Sequence, residues 1–252
     1  FTFRKKSGFF DCVTYTGNGT SQVISHSLNT EIGMMLIKRT SETGGWAVYH
    51  KSLGTGKYLE LSATYAQQNS SSHWSSVGTT SFTVGTEHDT NKSGATYVAY
   101  LFADNSSEDA DDQMIKCGSF VGNGSTNGPT VTLGWEPQFI IIKSATSAVE
   151  WQLYDTMRGV VSGGSDRVLH PNTSDAEYAQ DVIEFTSTGF HAKNNYSNAN
   201  ASGQTYIYMA IRAPMMKEPE AATDVFAVDN AGSGVAPAYI SGFPVDFALY
   251  KS

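Results

Sequence analysis

The chain has 252 residues, of which 16% are charged and 12% aromatic, with 24 glycines. A formal net charge of −8 argues against duplex nucleic acid as the main partner, because phosphate binding needs a clustered basic surface. No run of apolar residues is long enough to span a membrane, and Ser, Thr, Asn and Gly abound where helix formers are scarce, so strands and turns are expected.

The opening "FTFRKK" carries Arg4, Lys5 and Lys6, the nearest approach to a basic cluster, which reads as a solvated terminus. No secretory leader pattern is present, and the abrupt start is expected to mark a piece of something longer. "CVTYTG" alternates like a half-buried strand and runs into Gly17-Asn18-Gly19. Asn-Gly between strand-like runs predicts a hairpin; a phosphate loop would need a helix and a Lys after it, and neither follows. Residues 34–37 (MMLI) are apolar at every position, which predicts a strand covered on both faces. "WAVYH", with Trp46 and Tyr49, and "TYVAYLFA" continue the strand signals. At most one short helix is expected, near residues 72–76 or 175–180.

The second half repeats the landmarks of the first. Cys12 and Cys117 stand 105 positions apart, and the same offset links Gly17-Asn18-Gly19 with Gly122-Asn123-Gly124, Lys38 with Lys143, Trp46 with Trp151 and Tyr49 with Tyr154. Later the offset becomes 109, as "GATYVAYLFA" faces "GQTYIYMAIRA". Ordered landmarks at near-constant spacing predict duplication. The expected organisation is a preceding module's exit strand and linker at 1–11, a module at 12–103, an exposed acidic linker at 104–116, a second module at 117–213, and a linker with the start of a truncated third module at 214–252. Each module is expected to hold eight to ten antiparallel strands, an all-β sandwich of jelly-roll or concanavalin-like type. With one cysteine per module, a bridge between them is not expected, and each thiol reads as a small buried hydrophobe.

Sites of chemistry are sparse. The acidic run 108–112 offers oxygen ligands of the kind Ca²⁺ prefers but lacks the spacing of a calcium loop, so it reads as linker. Asp89, Asn91 and Asp104 are further oxygen donors that no spacing selects. No cofactor or metal is therefore assigned. The six histidines include no pair at metal-ligand spacing, and His50 falls opposite Asp155, which argues against an imidazole required in both halves. No nucleophile elbow is present and no matched carboxylate pair appears, so no catalytic residue is assigned. Trp46 and Trp151, at matched positions in strands, read as core. Tyr65, Trp74, Tyr178 and Tyr196 lie among Ser, Asn, Gln and Thr where the two copies disagree. Rings flanked by amides and hydroxyls suit a sugar or a protein partner, and Trp74, Tyr178 and Tyr196 are the candidate ligand-binding residues. The other reading is that they cap the sandwich core.

The combination of "FTFRKKSGFFDCVTYTGNGTS", "GWAVYHKSLG", "TYVAYLFA", "CGSFVGNGS", "WEPQFIIIKSA", "YDTMRG" and "TYIYMAIRAP" resembles repeated modules in virion proteins of marine tailed phages, including cyanophages. The resemblance spans nearly the whole chain. It implies concanavalin- or laminin-G-like sandwiches in a tail fibre or appendage of the virion. Other virion subunits and a host-surface glycan or protein would be its partners, in a homo-oligomer that analogy makes a trimer. It supplies no catalytic residues. A polysaccharide-degrading enzyme on the same sandwich and a capsid-decorating protein are the alternatives.

Overall fold

The computed structural model describes residues 3–106, 112–160, 163–213 and 226–227. The third-module start expected at 214–252 lies outside these, apart from the exposed Phe226 and Ala227. The first half builds β1 (Phe10–Thr16), β2 (Gln22–Ser25), β3 (Ile32–Arg39), β4 (Trp46–His50), β5 (Lys57–Glu60), β6 (Gln68–Asn69), β7 (Trp74–Val77), β8 (Ser81–Val84), helix α1 (His88–Asn91) and β9 (Thr96–Ala103). The second half builds β10 (Ile115–Val121), β11 (Asn127–Thr132), β12 (Pro137–Ser144), β13 (Gln152–Asp155), β14 (Asp166–Val168), β15 (Tyr178–Gln180), β16 (Ile183–Thr186), β17 (Gly189–Lys193) and β18 (Thr205–Arg212). The protein is thus all-β, with antiparallel sheets packed face to face, as its β-branched and aromatic runs dictate.

The large sheet of the first half has the order β1-β9-β3-β4-β5-β6, and it faces a smaller sheet, β2-β8-β7. In the second half the orders are β10-β18-β12-β13 and β11-β17-β16, with β14 and β15 paired as a ribbon. Residues directly opposite in the ladders share a face. One such row is Cys12–Tyr100–Leu36–Val48, and another is Thr14–Val98–Lys38–Trp46. Cys117–Met209–Ile141–Leu153 forms the corresponding row in the second half. Residues 139–142 are all buried, so β12 is covered on both faces as its unbroken apolar run requires; in β3 Met34, Met35 and Ile37 are buried but Leu36 is only half-buried.

Several sequence expectations change. The expected helix positions are strands: Trp74 pairs with Val84 and Tyr178 with Val168, because these Ser-rich or short segments find ladder partners. The helix lies instead at His88–Asn91. Residues 3–5 form no strand, and Lys6 makes only an isolated bridge to Phe10. In the expected exposed linker, Asp104 and Asn105 are buried; Asp104 pairs with Lys51, and Asn105 accepts N–H bonds from Met114 and Ile115. β10 begins two residues before Cys117, inside that stretch. Residues 1–213 form one compact unit, and the core of the first half continues into Phe139, Ile141, Trp151, Ile207 and Met209 of the second. Each of these fully buried side chains stabilises the unit by about 1.5–3 kcal/mol.

The Gly-Asn-Gly turns are not hairpins. β1 pairs with β9 and β2 with β8, so Gly17-Asn18-Gly19 carries the chain from one sheet to the other. Gly19 and Gly124 have φ of +75° and +67°, the left-handed region that favours glycine. A Cβ on Gly17 would run into the carbonyl of Lys92, and one on Gly122 into that of Ala201. The turn is held by a side chain 73 residues away. Asn91, fully buried, accepts from Asn18 N–H at 2.9 Å and donates to the carbonyls of Gly85 and Thr20. Asn200 repeats the clamp on Asn123 N–H at 2.9 Å, donating to the carbonyls of Ser125 and Asn194. A buried tyrosine braces each clamp: Tyr97 donates to His88 O and accepts from Lys92 N–H, as Tyr206 does with Ser197 and Ala201.

Candidate functional site

Of the three candidate binding residues, the structure brings two together and removes the third. Trp74 opens β7, where a register shift between Trp74 and Ser76 breaks the alternation, so the indole points inward and both Ser75 and Ser76 are exposed. It is 1% exposed and meets the ring of Tyr49 edge-on at 5.7 Å. Trp74 is therefore a core residue and not a loop contact. Tyr65 remains exposed on its own stretch.

Tyr178 and Tyr196 are 38% and 40% exposed, each presenting part of a ring to solvent. Tyr178 starts the edge ribbon strand β15, so its position is set by pairing and not by a loop. Tyr196 stands in the turn that also carries the Asn200 clamp, accepting from Asn200 N–H at 2.7 Å through its carbonyl. The two segments are tied by Asn194 Nδ2 donating to Asp181 O at 2.6 Å and by a Lys193–Asp181 ion pair at 2.8 Å.

Behind Tyr178 runs a chain of polar contacts. The carbonyl of Trp151 lies 2.6 Å from His170 Nδ1, so in the neutral ring that nitrogen carries the hydrogen. Nε2 is then left to accept from the Tyr178 hydroxyl at 2.9 Å. Asn172 accepts from Trp151 N–H at 3.0 Å through Oδ1 and donates to the carboxylate of Glu150 through Nδ2. Gln180 Oε1 stands 3.4 Å from the Tyr178 hydroxyl. Partial burial, and after it the nearby Glu150 and Tyr196, raise the Tyr178 phenol above its usual pKa, keeping it a donor. The patch thus offers two rings, a carboxylate and two amides at fixed places, groups that stack on and hydrogen-bond a sugar.

The other candidates serve structure. His50 is fully buried, with Nε2 at 3.0 Å from the carbonyl of Tyr208. Asp155, its match, is buried and paired with Arg158 at 2.5 Å. Asn91 and Asp104, considered as cation ligands, are spent on the turn clamp and on Lys51. Of the acidic run 108–112, all but Asp112 lies outside the described residues. Among the described residues no three His, Cys, Asp or Glu side chains converge on a metal-sized space. Cys12 and Cys117 are both unbridged, Cys117 buried and Cys12 half-buried. No helix among the described residues is long and apolar enough to cross a membrane.

Sequence reading named Asn91 only as an oxygen ligand and overlooked Asn200, although the two stand 109 positions apart at the offset that links the flanking strands. It also overlooked His170, Glu150 and Asn172, whose approach to Tyr178 depends on how the edge ribbon folds back.

No curated protein and no solved structure matches the chain. A family model matches residues 3–214, a span that takes in both halves and all the strands above, and the chain accordingly belongs to the family described as a domain of unknown function, DUF7483.

Proposed function

We infer that the chain is an adhesive segment of a phage virion, a tail fibre or appendage, that binds host-surface glycan through the patch around Tyr178 and Tyr196. The observation that carries this reading is the pairing of two half-exposed rings with the hydrogen-bonded Glu150, Asn172 and His170. Rigid sandwiches supply reach, and several copies in one particle raise a weak single-site affinity. The resemblance to repeated virion modules supplies the setting; the patch supplies the chemistry.

An array of extracted bacterial surface polysaccharides, probed with the labelled chain, tests it. Tyr178→Ala with Tyr196→Ala should weaken capture about tenfold or more, since a stacked ring contributes about 0.5–1.5 kcal/mol. Val23→Ala, at an exposed residue of β2, should leave capture unchanged. Full retention by the double variant overturns the assignment of the patch. Steady release of new reducing ends from a captured polysaccharide would replace adhesion by cleavage.

A further inference from the structure

The two large sheets differ in how their outer faces are covered. In the second half, Cys117, Ile141, Trp151, Ile207 and Met209 on that face are at most 6% exposed. Their matches in the first half, Cys12, Leu36, Trp46, Val98 and Tyr100, are half-buried. An antiparallel sheet with one solvated face ordinarily keeps that face polar, yet this one carries Cys12, Tyr100, Leu36 and Val48 in one row and Val98 and Trp46 in the next. Thr14 and Lys38 are the polar members there, with Lys38 lying over the Trp46 ring. The N-terminal Phe3 covers only its lower end, packing on Phe10 and Phe102.

What covers the matched face in the second half is the first half. Trp151 Nε1 donates to Glu60 O at 2.9 Å, Gln67 N–H to Ala145 O at 2.8 Å, and His50 Nε2 reaches Tyr208 O at 3.0 Å. Gly33 meets Cys117 so closely that a Cβ there would stand 2.6 Å from Sγ. The covering surface is therefore the strand ends at Gly33 and His50 together with the stretch from Glu60 to Gln67. The second half has the matching strand ends: Asp155 and His170 are buried there beside Arg158 and Tyr178, while the turn that follows β13 is exposed at Thr156 and Met157. Met157, on the turn after β13 that corresponds to the turn after His50, is 85% exposed. By ladder position, His170 stands where Glu60 stands in the first half, since Leu153 bridges to Leu169 as Val48 pairs with Leu59.

We propose that the outer face of the first sheet, centred on Trp46, Val98 and Tyr100, seats the strand-end surface of the second half of another copy of this chain. The contact joins unlike surfaces and leaves one of each free on a pair, so copies add head to tail past the dimer, as a row or a ring. It would reproduce between chains the packing that joins the halves within one. Docking does not rest on the adhesive reading, but it bears on it: because His170 lies in the docked surface, the Tyr178 patch stays open only on the last copy of a row.

Sedimentation velocity over a range of concentrations tests the idea with the full 252-residue chain. The wild-type chain should grow past the dimer as concentration rises. Tyr100→Lys, which spoils the face, and Met157→Asp, which spoils the strand-end surface, should each weaken association at least about tenfold and keep the chain monomeric. Mixing the two variants should yield a dimer and stop there, since one brings an intact face and the other an intact end. Circular dichroism and melting confirm that each variant is folded. A wild-type chain that stays monomeric at high concentration overturns the proposal. So does a mixture that fails to pair, or a dimer formed by either variant alone.

Discussion

His50 permits a direct check on what joins the two halves. Its ring is fully buried, and that burial brings its pKa down from 6.5 to about 4, against the opposing influence of the Tyr208 carbonyl and Asp104. Ser52 N–H points at Nδ1 from 3.2 Å, so Nε2 holds the hydrogen donated to Tyr208 O. A second proton would have to sit on Nδ1, facing that N–H. The folded-state pKa lies below the unfolded one, so the neutral ring contributes its full stability above pH 6.5. That contribution is lost as pH falls from there toward 4. At 1.36 kcal/mol per pK unit, the loss by about pH 4.5 amounts to roughly 2.5 kcal/mol. Urea titrations followed by tryptophan fluorescence at neutral pH and at about pH 4.5 would measure it, with His50→Gln as reference. The glutamine amide donates to the Tyr208 carbonyl but does not titrate, while surface carboxylates titrate alike in both proteins and cancel. Wild type should lose about 2.5 kcal/mol more than the variant on acidification. Parallel losses in the two proteins would refute the argument.

Two further outcomes follow from buried polar groups. Asn91→Ala and Asn200→Ala should each cost about 2–4 kcal/mol in thermal melts, because each leaves a turn N–H and two carbonyls without their partner. The aspartate variants should be worse than alanine, since a carboxylate oxygen would then face those carbonyls. Lys143 is buried with only the carbonyls of Ser144 and Ser147 as partners, and burial lowers its pKa from 10.5 to about 8. Its contribution is complete above pH 10.5 and lost as pH falls toward 8, so at pH 7 the charge costs about 3 kcal/mol. Lys143→Met should therefore stabilise the chain by about 1–2 kcal/mol at pH 7, after about 1 kcal/mol for the abandoned carbonyls, and by less at pH 10. A destabilised variant at pH 7 would count against this.

The fold was legible where the signal is periodic and local. Apolar runs such as 139–142 announced strands with both faces covered, and the 105-residue offset paired positions that occupy corresponding ladder rows, as Cys12 beside Tyr100 and Cys117 beside Met209 show. What failed was partner choice, which is not local. Asn-Gly reads as a hairpin because φ alone is consulted, whereas β1 finds its neighbour in β9, some eighty residues on, and a distant asparagine fixes the corner. Trp74 and Tyr178 show the same limit from the other side. Both sit among small polar residues, and composition cannot separate them. Strand pairing does: a register shift in β7 leaves both serines exposed and the indole inward, while Tyr178 lies on a short two-stranded ribbon, which leaves its ring half open. Composition also could not show that Trp46 and Trp151, alike in sequence, differ in cover. Trp151 is sealed because Glu60 and its neighbours reach it from the other half, and Trp46 lies on a face with no such neighbour within the described residues. The difference comes from which strand ends reach which face, and that is what makes the half-open face of the first sheet the most informative surface among the described residues.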